Sequence, residues 1–119
     1  MKMKYFTHEE FDSPDIQGSG QLMDEKILSM IDKARDMFAK PIKVNSGYRT
    51  EKHNTKIGGV KNSSHLTGLA IDISCNNSLD RFQLIMILMA VGFNRIGIAS
   101  SFIHIDIDLS KSANVMWTY

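Results

Sequence analysis

From Leu22 to Phe38 the apolar residues Ile27, Met30, Ile31, Ala34, Met37 and Phe38 recur at steps of three and four. That period marks one face of an amphipathic helix, and Pro41 stops it. A second run, "NNSLDRFQLIMILMAVGF" (76–93), is apolar around most of its surface. It predicts a helix capped by Asn77 or Ser78 and stopped at Gly92, lying in the core rather than on it, with Met86 and Met89 as core residues. Between these helices and after them the period changes to two. "PIKVNS" (41–46) reads as a short strand with Ile42 and Val44 on one face, and "LAIDIS" (69–74) as another. "RIGIA" (95–99) and "FIHIDIDL" (102–109) form a hairpin joined through Ser100 and Ser101.

The connections are as informative as the elements. Thr7 with Glu10 three residues on has the spacing of a capping box, so a helical turn is expected there, and Pro14 makes a turn after it. Residues 47–65 form a long, polar, glycine-bearing loop with a short helical turn at 50–54. A loop of this length inside a small domain is usually functional or disordered. The order helix, strand, loop, strand, helix, two strands predicts an α+β fold: one domain over 1–119, a small antiparallel sheet with helices packed on one side.

Composition narrows the function classes. With 119 residues the chain is large enough for its own core. A net charge of +1 argues against nucleic acid as a partner and against a polybasic membrane anchor. No window is long and apolar enough for membrane insertion. The lysines of "MKMKYFTHEEF" are followed by no apolar stretch, so a secretory signal is not visible. The one cysteine, Cys75, rules out an internal disulfide and any cysteine-cluster zinc site, and is expected to be a small buried residue. A monomer is the default expectation.

Candidate chemistry concentrates in two strands. Alternation along the last strand puts Ile103, Ile105 and Ile107 on the core face and His104, Asp106 and Asp108 on the other. His65 and Asp72 stand seven positions apart in "SSHLTGLAIDI" (63–73), with Gly68 supplying backbone geometry between loop and strand. His65, Asp72 and His104 would make a three-ligand set with an open fourth corner, the form of a catalytic zinc site. There the metal lowers the pKa of bound water from ~15.7 to roughly 7. This requires the strands of Asp72 and His104 to be neighbours. By spacing alone the same residues also fit plain solvated or capped positions.

"SGYRT", "SSHLTGLAIDI" and "GFNRIGIASSFIHIDI" resemble the signature blocks of the zinc D-alanyl-D-alanine carboxypeptidase and endolysin-peptidase family. "YFTHEEFDSPD" is similar to the lead-in of its compact, single-domain branch. Fold relatives of that family include murein endopeptidases and the hedgehog signalling domain. The resemblance implies a hedgehog/DD-peptidase type of fold and Zn²⁺ on His65, Asp72 and His104. It implies peptidoglycan stem peptides as substrate, with Arg49 holding the substrate's backbone or terminal carboxylate and Ser64 as a further contact. A guanidinium suits that task because it pairs a carboxylate bidentately. Where the carboxypeptidases have an acidic general base, three places before the last histidine ligand, this chain has Ser101. Asp106 is the substitute base, or else a partner that orients His104. The activity expected is that of a D,D-carboxypeptidase or endolysin-type endopeptidase. The alternative is an inactive zinc-stabilised module that binds cell-wall peptide. A wall substrate without a visible export signal points to a phage or prophage protein released at lysis.

The remaining polar and aromatic residues have plainer readings. His8 is expected at the surface and His53 in the loop, while Arg49 has Glu51 as an alternative partner. Tyr48 either stacks in the cleft or supports Arg49. Trp117 and Tyr119 pack the tail against the sheet, or close over the cleft.

Overall fold

A computed structural model of the chain describes residues 2–119. Helix α1 spans Glu25–Phe38. It starts later than its periodicity suggests because Asp24 caps it, its side chain accepting from the Lys26 N–H at 2.8 Å. Leu22 falls instead in a 3-10 turn, Ser19–Leu22. The helix ends at Ala39, whose left-handed backbone (φ 60) lets its N–H reach Arg35 O. The expected N-terminal turn is a 3-10 helix, His8–Phe11, and Glu10 reaches back to accept from Thr7 N at 2.8 Å.

Strand β1 is Val44–Ser46, β2 Ala70–Ser74, β3 Arg95–Ile98, β4 Phe102–Asp106 and β5 Val115–Thr118. They form one sheet in the order β1-β2-β4-β3-β5. The predicted hairpin is present as β3–β4, with Gly97 opposite His104. The pairing of β2 with β4 sets Asp72 directly opposite His104, which is the neighbour relation the ligand set needs. The turn expected at 50–54 is helix α2, Glu51–Lys56, capped by Thr50. Helix α3 is Ser78–Ala90, with Asn77 as the cap.

Two expectations are corrected. The sheet is mixed, not antiparallel: β5 pairs in parallel with β3, carried there by a crossover through residues 107–114. Helix α3 lies on the core rather than in it. Only Leu84 and Leu88 are buried, whereas Phe82 is 64% and Met89 57% exposed, and Leu79 and Met86 are exposed as well. The reason is size. A sheet of five short strands offers α3 a single face to pack on, so a helix apolar all round leaves half its surface outside.

The sheet has two unlike faces. Ile71, Ile73, Ile96, Ile103 and Ile105 are buried with Ile27, Leu28 and Ile31 of α1 and Leu84 and Leu88 of α3. Each such side chain contributes about 1.5–3 kcal/mol by leaving water. The opposite face carries Asp72, His104, Asp106 and Gly97. Cys75 is buried just after β2. Among the described residues no helix is long and apolar enough to cross a membrane.

Candidate metal centre

His65 comes to this face from a 3-10 turn, Ser64–Thr67, that precedes β2. Gly68 ends the turn with φ +73, and a Cβ there would lie 2.5 Å from Leu22 O, so glycine is needed both for conformation and for space. The 47–65 loop is fastened to this turn by Arg49 N–H donating to His65 O at 3.0 Å. The result is that His65, Asp72 and His104 offer ligand atoms all within 4.8 Å of one another. His65 Nε2 is 3.3 Å and His104 Nδ1 2.8 Å from Asp72 Oδ1. Tetrahedral zinc with donors at about 2.0–2.2 Å separates them by roughly 3.3–3.6 Å, so the set fits with a small opening of the His104–Asp72 hydrogen bond.

Both imidazoles are held in the tautomer such a centre needs. His65 Nδ1 donates to Gly47 O at 2.8 Å, which leaves Nε2 as the ligand atom. His104 Nε2 lies 2.8 Å from Asp106 Oδ2, which leaves Nδ1. Asp106 is 1% exposed, and its other oxygen accepts from Arg95 Nε at 2.7 Å and from Asp108 N at 3.2 Å.

These contacts set the charges. Burial works to raise the Asp72 carboxyl, but hydrogen bonds from His104 and His65 outweigh it and hold Asp72 well below the usual carboxylate range. Burial works to lower His104, and the Asp106 and Asp72 carboxylates more than reverse it. Asp106 is lowered on balance, burial being overcome by His104 and Arg95. Without a metal the two flanking carboxylates favour the charged form of His104, and a metal held here would stand in place of its Nδ1 proton.

The other predicted residues are distributed around this centre. Arg49 lies beside it: Nη2 is 3.5 Å from Asp72 Oδ2, while Nε donates to Ser46 Oγ and Nη1 to Asn54 Oδ1. Ser64 is adjacent, but its hydroxyl donates to Asp108 Oδ2 at 2.7 Å and accepts from Lys111 Nζ at 2.8 Å. Ser101 sits exposed in the β3–β4 turn and does not line the cleft. His53 lines an adjoining cleft with Ser46 and Ile57, and His8 is remote in the first turn. Tyr48 packs on the core, its N–H donating to Phe11 O.

The cleft over the centre has a volume of about 420 Å³ and is walled by residues from β5 and its neighbours. Trp117 tilts against His104, ring centroids 5.6 Å apart, and Arg95 lies over its ring at 5.1 Å. Tyr119 packs on Phe102 at 5.1 Å. Arg95, Gly97 and Lys111 carried no sequence signal of their own. Arg95 would have been found by asking what neutralises a carboxylate on an interior strand position.

The family model described as Peptidase M15 matches residues 4–107, most of the chain and all of the ligand set. No curated protein matches the chain closely enough to count as a relative.

Proposed function

We propose that this chain, which belongs to the Peptidase M15 family, is a zinc-dependent peptidase acting on the stem peptides of peptidoglycan. The observation that carries this is the pair of histidines with their ligand nitrogens freed toward Asp72, each by a hydrogen bond at its other nitrogen. A metal there would be held by His65, Asp72 and His104, and zinc so bound supplies a Lewis acid and an activated water. The protein's own groups do the rest. Asp106 holds the His104 ring, Arg95 neutralises Asp106, and Arg49 presents its unused N–H groups to the substrate's carbonyl or carboxylate oxygens. Asp106 is assigned a positioning role because both its oxygens are engaged beneath His104.

Zinc-loaded protein incubated with muropeptides should give chelator-sensitive products by mass spectrometry, whose masses name the bond cut. A second reading, a zinc-stabilised module that binds cell-wall peptide without cleaving it, rests on one observation. Both carboxylates that line the cleft, Asp72 and Asp106, are already committed to other groups. Intact muropeptides after incubation with protein that holds its zinc would favour that reading.

A further inference from the structure

The segment beyond the family match, residues 108–119, builds one wall of the cleft. Strand β5 lies in parallel register on β3, with Trp117 beside Gly97 and Thr118 beside Ile98. Tyr119 N–H then donates to Ile98 O at 3.2 Å, which fixes the backbone past the strand's end. Gly97 is what lets the indole lie flat on the sheet, since a Cβ there would fall 2.6 Å from Trp117 Nε1. Trp117 is thus clamped between glycine, His104 and the Arg95 guanidinium, and acts as a buttress.

Tyr119 is differently placed. Its ring rests on Phe102, it lines the same cleft as His65, Asp72 and His104, and it stays 69% exposed. Its hydroxyl oxygen takes a hydrogen bond from the Trp117 indole N–H, and among the described residues no acceptor is shown for its own proton. The serine of the cleft nearest the ligands, Ser64, has its hydroxyl taken at both donor and acceptor. A tyrosine whose oxygen is anchored by Trp117 and whose proton is still free to be donated is suited to binding an extended peptide, because it adds contact area and one directed hydrogen bond at little entropic cost.

We propose that Tyr119 is a substrate-contact residue whose hydroxyl donates a hydrogen bond to a backbone carbonyl of the peptide lying in the cleft, with Trp117 as its support. The inference rests on the peptidase reading for the identity of the peptide, and on the cleft for the contact.

The test uses zinc-loaded full-length protein and a stem pentapeptide ending in D-Ala-D-Ala. Trp117 is the only tryptophan in the chain, so its emission reports occupancy of the cleft without any turnover. Tyr119→Phe should keep its zinc content and thermal midpoint, while KM rises about 2- to 15-fold with kcat little changed, the loss of one neutral hydrogen bond. Tyr119→Ala should lose more, again in KM. If the wild type binds the peptide without cleaving it, the same factor should appear in the dissociation constant from Trp117 emission. In that case the peptidase reading fails and the contact stands. Wild-type KM or dissociation constant in both variants would overturn the proposal. So would loss of zinc from Tyr119→Phe, or absence of any emission change with the wild type.

Discussion

Replacing Asp106 with asparagine should disable the metal site while leaving most of the fold intact, and the hydrogen-bond geometry says why. Asp106 Oδ1 accepts from two donors, Arg95 Nε and Asp108 N, and Oδ2 faces His104 Nε2. An asparagine keeps its oxygen where the two donors are, so its NH₂ group must face His104. Nε2 then has to accept, and the ring proton moves to Nδ1, where it donates to Asp72 Oδ1 at 2.8 Å. That neutral arrangement satisfies every group but occupies the ligand nitrogen. Metal affinity should fall about 10–100-fold, the usual loss for such an outer partner, or about 1.4–2.7 kcal/mol. Zinc-free stability should fall by about 1.5–3 kcal/mol, for a hydrogen bond to a charged group. Asp106→Ala, which strands Arg95, should lose about 3–5 kcal/mol. Zinc competition against a chromogenic chelator and urea unfolding with and without zinc measure both terms. An asparagine variant that binds zinc as the wild type does, yet loses hydrolysis, would refute this reasoning and make Asp106 the proton acceptor.

Other predictions follow from the same geometry. Gly97→Ala should displace the Trp117 indole, changing its emission and lowering stability by about 1–3 kcal/mol with zinc content retained; unchanged emission would contradict the buttress. Without zinc, His104 is raised and Asp72 lowered. The His104 contribution is then fully present below its unfolded value of about 6.5 and is lost as pH rises through the folded value. That of Asp72 is present above about 3.9 and is lost as pH falls through the folded value. Thermal midpoints in a chelator should therefore fall as pH rises above about 6.5, and a flat profile there would count against a raised His104. Leu88→Ala should cost about 2–5 kcal/mol in urea unfolding, whereas Met89→Gln should stay within about 0.5 kcal/mol. Equal losses would restore α3 to the interior.

Much of the centre was legible in the sequence because it depends on local periodicity. Alternation in "FIHIDI" separates His104 and Asp106 from the isoleucines, and the same alternation in "LAIDIS" separates Asp72 from Ile71 and Ile73. Once β2 and β4 pair, Asp72 and His104 must meet. What escaped depends on tertiary placement. The apolar composition of α3 says that the helix is greasy but not how much sheet is available to cover it, so Met86 and Met89 were misplaced. "VMWT" is too short to announce itself as a strand, and its parallel partner is chosen by a crossover that no local pattern encodes. Asp106 was ambiguous between base and orienting partner for a related reason: the partner that fixes it, Arg95, comes from another strand.

Anomalous diffraction at the zinc edge, from crystals grown with the metal, tests the central claim most directly. The account predicts a single peak bonded to His65 Nε2, an Asp72 oxygen and His104 Nδ1, at about 2.0–2.2 Å from each. A peak elsewhere, or a centre ligated through His104 Nε2, would contradict it.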